Sequence, residues 1–144
     1  MRFEVDFPED LFAQLDAAGD MDRIAPAMLS RAAPSLENAI RKRAQLHDQT
    51  GEMSRSVKAG KPRKNKRTGN WGVRVRFVGY DKTRKPTPNY PRGVPNAVKA
   101  AGIEYGNDDA NRVPHPFMAA AAKDAQNDID AALQRAYDDE VQKK

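Results

Sequence analysis

An apolar residue stands at every fourth position from Ile24 through Met28, Ala32, Leu36 and Ile40 to Ala44. The same step recurs near the other end, from Phe117 through Ala121, Ala125, Ile129, Leu133 and Tyr137 to Val141. At 3.6 residues per turn this spacing draws one stripe along an α-helix, and each stripe needs a surface to lie on. The first ladder predicts a long N-terminal helix with small residues for close approach, capped by Asp20 or Asp22 and ending near His47, Asp48 and Gln49. Pro34 falls inside it and predicts a kink or a break into two helices. Arg31, Arg41, Lys42 and Arg43 read as its solvated outer face. The second ladder predicts a long C-terminal helix made acidic by Asp124, Asp128, Asp130, Asp138, Asp139 and Glu140.

Between and before the ladders the period changes to two. Phe3, Val5 and Phe7 alternate with Arg2, Glu4 and Asp6, and Val73, Val75 and Phe77 alternate with Arg74 and Arg76. Both patterns predict strands with one buried face. Pro8, Glu9 and Asp10 open a short helix carrying Leu11, Phe12 and Leu15 and closed by Gly19, with acids in the first turn where the helix dipole favours them. The run from Thr50 to Val57 is compatible with one capped helical turn or with a direct entry into a strand. If Ser54 to Ala59 is a strand, it forms an antiparallel hairpin with the Val73 strand. The stretch from Lys58 to Asn70 is too polar, basic and turn-rich for a core and belongs at the tip of that hairpin. Three prolines, Pro86, Pro88 and Pro91, make the segment from Asp81 to Gly93 an extended loop.

The chain then runs through a joint. Residues 96–103 form a short helix-like run, followed by Glu104, Tyr105 and Gly106, a polar turn at 107–111, and Val113-Pro114-His115-Pro116-Phe117-Met118. Gly106 stops one helix where a positive φ is easiest, and Pro116 starts the next in its first turn. Ile103 and Tyr105 on one side and Phe117 and Met118 on the other are expected as apolar anchors fixing the last helix against the sheet. The fold class is therefore α+β: a long N-terminal helix kinked near Pro34, a small antiparallel sheet with a basic hairpin loop, a short helix, and a long C-terminal helix packed on the sheet. At 144 residues, 39% hydrophobic, it is expected as a single domain over 1–144, with 58–70 and 81–93 as flexible basic loops.

Candidates for catalysis are few. With no cysteine there is no disulfide framework, thiolate nucleophile or cysteine-ligated zinc. His47 and His115 are the two histidines, and neither stands at metal-ligand spacing from a second imidazole or a cluster of acids. His115, between two prolines, reads as a helix cap or packed loop residue, and Glu104 has no evident partner. Gly69-Asn70-Trp71-Gly72 lacks the length and the ending of a phosphate-binding loop. The expectation is no catalytic residue, no metal and no cofactor. No apolar run approaches the roughly 20 residues that span a bilayer, and the first residues lack the apolar middle of a signal peptide, so neither membrane contact nor a leader is expected.

Charge is the strongest remaining signal. From Arg55 to Arg92 there are thirteen Lys or Arg against one acid, Asp81, a net of +12, while the rest of the chain holds twelve bases and nineteen acids, a net of −7. Such asymmetry points to a polyanion partner or to head-to-tail contact between copies, the basic hairpin of one on the acidic C-terminal helix of the next. The candidate contact residues are Lys58, Lys61, Arg63, Lys64, Lys66, Arg67, Lys82, Arg84, Lys85 and Arg92. With Trp71, Tyr80 and Tyr90 interleaved they also allow an alternative reading, a basic nucleic-acid-binding protein using residues 55–92.

Three motifs in order carry a resemblance. The run from Thr50 and Gly51 through Met53 to Ser56 resembles the T-G-x-L-x-x-S element of the tail-component family of long-tailed phages, small minor tail proteins encoded among the head-tail joining genes. Glu104-Tyr105-Gly106 resembles that family's E-[FY]-G, and the segment from Val113 to Ala121, with Pro114, Pro116 and Phe117, resembles the P-x-x-P-F-[LM]-x-x-A opening of its C-terminal helix. Order and spacing agree over nearly the whole chain. Met53 stands where leucine is common, Ala119-Ala120 replace a basic-Pro pair, and the basic insertion from Lys58 to Asn70 is not a family hallmark. The resemblance implies a non-enzymatic virion protein, made in the host bacterial cytoplasm and placed in the tail or at the head-tail interface. It implies a homo-oligomeric ring in the assembled particle, a monomer when alone, with other phage head-tail or tail structural proteins as partners and DNA contact open.

Overall fold

The computed structural model describes residues 3–4, 21–48, 50–83, 85–106 and 112–142. Its centre is helix α1, Met21–Gln45. All six members of the expected ladder are buried, and so is a second row one residue over: Ala25, Leu29 and Ala33. The buried arc is wide because α1 is covered on two sides. One side takes the C-terminal helix. The other takes a sheet in which strand β1, Phe3–Glu4, and strand β2, Val57–Ala59, flank strand β5, Arg74–Phe77, all antiparallel.

Of the kink or break expected at Pro34, the break is absent: α1 runs unbroken through both Pro26 and Pro34. Each proline removes a hydrogen bond to the carbonyl four residues back, which costs several kcal/mol in an unsupported helix. Pro34 and Ser30, whose carbonyl loses its partner, are both exposed, so water can satisfy that carbonyl while Ala32, Ala33 and Leu36 stay packed. Asp22 lies within the first turn and is no cap. Asp20, the strand residues Val5 and Phe7, the short helix through Leu11, Phe12, Leu15 and Gly19, and the turn at 107–111 lie outside the described residues.

The hairpin forms as the alternation predicts. Val57 pairs with Phe77, Lys58 with Arg76 and Ala59 with Val75, so Val57, Val75 and Phe77 face the core. Val73 is buried between the short strand β4, Trp71–Gly72, and β5. The stretch expected as a loop from Lys58 begins inside β2 and continues as a two-stranded ribbon, in which β3, Arg63–Lys64, pairs with β4. The Asn65 amide closes the tip on the Asn70 carbonyl at 2.8 Å, and its side-chain oxygen accepts from the amides of Arg67 and Thr68. Among the described residues the second basic stretch, 81–93, forms no helix, and it carries an isolated bridge between Thr87 and Tyr90.

Between α1 and β2 the chain makes one helical turn, α2, Glu52–Arg55, settling the alternative left open at Thr50. Helix α3, Asn96–Tyr105, leads through the joint to α4, Phe117–Gln142. Helix α4 packs chiefly on α1 rather than on the sheet, which it meets where the Phe117 ring stands edge-on to Phe77 at 6.0 Å. The two long helices run antiparallel, seamed by ion pairs from Arg23 to Glu140 (3.3 Å), Arg31 to Asp139 (2.6 Å) and Arg43 to Asp124 (2.7 Å). Alanines at 32, 33, 44, 121, 125 and 136 let the backbones approach. The α4 ladder holds through Leu133 and then leaves the buried arc: Ala136 is buried, Tyr137 half-buried and Val141 exposed. A step of four over-rotates by about 40°, and the shorter step to Ala136 returns the stripe to its partner.

Candidate functional site

The three motif segments are neighbours: α2 packs on α3, and α3 packs on α4, whose start it caps. Asp48, just past α1, accepts from the backbone amides of Thr50 (3.3 Å), Gly51 (3.0 Å) and Ser54 (2.7 Å), tying α2 to the end of α1. Burial raises the proton affinity of that carboxyl, but the bonds from Ser54, Gly51 and Thr50 outweigh it and hold the group below its ordinary value. Met53 enters the core, and the Ser56 hydroxyl donates to the Met53 carbonyl at 2.6 Å. Thr50 is exposed; its hydroxyl accepts from the Glu52 amide.

Glu104 has the partner that sequence reasoning did not find. Its buried carboxylate accepts from the backbone amides of Met118 (2.8 Å) and Ala119 (3.4 Å), the otherwise orphaned donors of the first turn of α4. The Phe117 amide reaches the His115 carbonyl at 2.7 Å and the Ala120 amide the Pro116 carbonyl at 3.2 Å, so the helix start is fully satisfied. Gly106 ends α3 at φ 71°, and a Cβ there would lie 2.5 Å from the Arg112 carbonyl oxygen. The His115 amide donates to the Ile103 carbonyl at 2.8 Å, while the exposed ring of His115 lies 5.5 Å from that of His47.

Of the expected anchors, Phe117 and Met118 are buried and Ile103 is partly buried, but Tyr105 is 68% exposed. Its position follows from the helix: one residue past buried Glu104, it points about 100° away from the core side. Pro114 and Pro116 are likewise exposed and act through their fixed backbone. Val113, two residues before His115, is 70% exposed, and Leu46, next to His47, is 74% exposed. Large apolar side chains thus stand in water on both segments that meet at the two histidine rings.

The basic residues divide into two groups. Lys58 on β2, Lys61, Arg63 and Lys64 on β3, and Lys66 and Arg67 at the tip are all exposed on the hairpin. Lys61, Arg63 and Lys64 line a groove of about 860 Å³ together with Asn65, Thr68, Asn70, Trp71, Arg74 and Arg76. Sequence alternation places Arg74 and Arg76 on the solvent face, and the fold brings them into the same groove as the tip cations. Lys64 Nζ and Trp71 Nε1 both donate to one Asp22 oxygen, at 3.0 and 3.1 Å, bracing the ribbon on α1; the Lys64 bond and then the Trp71 bond keep that carboxyl below its usual range. Lys82, Lys85 and Arg92 are exposed on the second loop, and Arg92 borders a separate cavity of about 260 Å³ with Tyr80 and Tyr90. Arg84 lies outside the described residues.

Two further charge contacts correct the picture of a solvated surface. Arg31 and Arg43 reach α4, as above, and Arg41 donates to Glu37 (2.7 Å) and to the Val57 carbonyl (2.9 Å), while Glu37 accepts from the Ala59 amide at 3.0 Å. Glu37 and Arg41 thus occupy the free edge of β2 as a neighbouring strand would. Asp81, the lone acid of the basic segment, is 1% exposed and accepts from the Thr83 hydroxyl and amide and from Lys99 Nζ at 2.9 Å. Those bonds, the Thr83 hydroxyl first, hold its carboxyl far below the ordinary value. The Asp81 amide donates to Val94 at 2.8 Å, and Gly93, at φ 96°, passes where a Cβ would strike the Asp81 carbonyl, so the 81–93 loop is cinched at its neck. Sequence reasoning assigns Asp81 no role; a single acid amid thirteen cations is the signal that could have marked it.

Among the described residues no group of three or more His, Cys, Asp or Glu is placed to hold a metal ion, and no helix is long and apolar enough to cross a membrane. Comparison with protein-family models, with curated proteins and with solved structures finds no match to this chain.

Proposed function

We propose that this chain is a non-enzymatic structural protein of a long-tailed phage or prophage, acting in head-tail joining or tail completion as one subunit of an oligomeric ring. The observation that carries the reading is the joint itself. The three segments that resemble the phage tail-component family are neighbours in space, and each has a mechanical part: Asp48 to Ser54 fixes α2, Glu104 caps α4, and Phe117 seats that helix in the core. Beside this rigid joint Leu46, Tyr105 and Val113 remain exposed, the arrangement of a subunit that completes its burial against a neighbour. A contact of that rim with a different patch on the next copy is heterologous and closes into a ring when the rotation permits.

The apolar rim is better supported as the subunit contact than basic hairpin on acidic helix. Asp124, Asp139 and Glu140 are already committed to arginines of α1 in the same chain. The reading is tested by mass spectrometry of density-purified particles from cells carrying the gene. It expects this chain at a ring-like few copies per particle; particles that lack it refute the assignment.

A further inference from the structure

We propose that the solvent face of the hairpin is a nucleic-acid-binding surface that takes the sugar-phosphate backbone of double-stranded DNA without reading its sequence. The inference does not depend on the ring reading, because it rests on one face of the monomer. Lys58 and Arg76 are directly opposite across β2 and β5, both exposed and on the same side of the sheet. Like charges at that spacing repel, and a fold indifferent to ligand would gain by making one of them an acid. The chain makes such pairs readily elsewhere, along the seam between α1 and α4. On the hairpin such pairing is the exception, Lys64 on Asp22: among the described residues Lys58, Lys61, Arg63 and Arg76 make no ion pair, and none of the described residues lining the groove shared by Lys61, Arg63, Lys64, Arg74 and Arg76 carries a carboxylate, while Glu4 stands opposite Arg74 across β1 and β5.

The lining suits phosphates in kind as well as in charge. Asn65, Thr68 and Asn70 add neutral hydrogen-bonding side chains of the sort that accompany Lys and Arg on phosphate oxygens. Asp22 braces the ribbon on α1 through Lys64 and Trp71, so the strands that carry the cations are positioned before any ligand arrives. That same bond decides between duplex and single strand. Trp71 is half-buried against the core with its indole N–H occupied, which leaves it poorly free to act as a stacking platform for bases. An acidic protein surface is the weaker occupant. The exposed acids of α4 that no ion pair engages among the described residues, Asp128, Asp130 and Asp138, offer three carboxylates over about three turns, whereas duplex DNA presents one charge per roughly 1.7 Å of axis.

The test is fluorescence anisotropy of the full chain with a labelled mixed-sequence 30-base-pair duplex. Binding should fall between 50 and 200 mM salt with a log–log slope of about −3.6, the value for four neutralised phosphates, and Lys61→Ala should reduce that slope by about 1. Arg63→Glu and Arg76→Glu should each weaken binding at least tenfold, with circular dichroism unchanged for Arg63→Glu, whose side chain lies outside the core. Lys42→Glu and Lys123→Glu, exposed on α1 and α4, make the same change in net charge and should leave binding within twofold. Equal losses in both sets would overturn the proposal, since net charge alone would then be responsible. So would preference for a single strand, or absence of DNA binding at 50 mM salt. Cross-linking of the hairpin to a second copy that Asp130→Lys and Asp138→Lys abolish, without DNA binding, would assign the face to a homotypic contact instead.

Discussion

Replacing Glu104 tests whether the joint is held as described. Its carboxylate lies 7% exposed against the backbone amides of Met118 and Ala119. Glu104→Ala removes a helix cap, a loss of about 0.5 to 2 kcal/mol. It also strands the Met118 amide in a buried position, where an unsatisfied donor costs about 1 to 3 kcal/mol. These ranges describe the same two bonds, so they overlap and do not add; the expected destabilisation is about 2 to 3 kcal/mol. Glu104→Gln keeps an acceptor in place and loses mainly the attraction between a negative charge and the helix N-terminus, about 0.3 to 1 kcal/mol. For a chain of this length the alanine variant should melt about 5 to 10 °C lower, with a proportionate drop in urea midpoint and an unchanged slope. The order of stability is therefore wild type, then Gln, then Ala. An alanine variant within about 0.5 kcal/mol of wild type, well inside the range of an ordinary surface substitution, refutes the cap. A glutamine variant as unstable as alanine shows that charge, and not an acceptor in the right place, is what α4 requires.

Other perturbations probe the remaining contacts. Phe117→Ala should cost about 3 to 5 kcal/mol by chemical denaturation, since the ring is 4% exposed and stands edge-on to Phe77. Glu37→Ala or Arg41→Ala should each cost about 1 to 2 kcal/mol by uncovering the edge of β2, and a double-mutant cycle should return a coupling above about 0.5 kcal/mol because the two side chains share one contact. Asp81 binds its proton far less readily folded than unfolded, so below the unfolded value of about 3.9 the unfolded chain holds more protons and stability rises with pH. Its contribution is present above about pH 4 and is lost as pH falls toward the folded value; urea midpoints between pH 2 and 5 should decline less steeply for Asp81→Asn. The lowered carboxyls of Asp22, Asp48 and Asp124 act in the same direction and remain in that variant.

Period and alternation made the elements legible. Every α1 ladder position and each of Val73, Val75 and Phe77 is buried as the spacing implies, because a repeating apolar residue in a helix or strand names its own buried face. What a ladder does not name is the surface it lies on, so α4 was expected on the sheet and is found on α1. Pro34 reads as a breaker because local rules carry no information about the packing that holds the helix together on either side of it. Tyr105 shows the converse limit: an aromatic flanked by motif residues reads as an anchor, yet one step of 100° from buried Glu104 turns it to solvent. Glu104, Asp81 and the Glu37–Arg41 pair escape notice because each serves a backbone or side-chain partner far along the chain. For the basic site, the tip cations were legible as exposed, whereas their union with Arg74 and Arg76 in one groove depends on how the ribbon folds back along β5.

The most direct test of the structural-protein reading is electron microscopy of particles produced after in-frame deletion of this gene from the genome that carries it. Separate filled heads and unattached tails, restored to joined particles when the chain is supplied from a plasmid and not when Glu104→Ala is supplied at a temperature above its melting point, are the predicted result. Joined and infectious particles in normal yield without the chain would contradict the account.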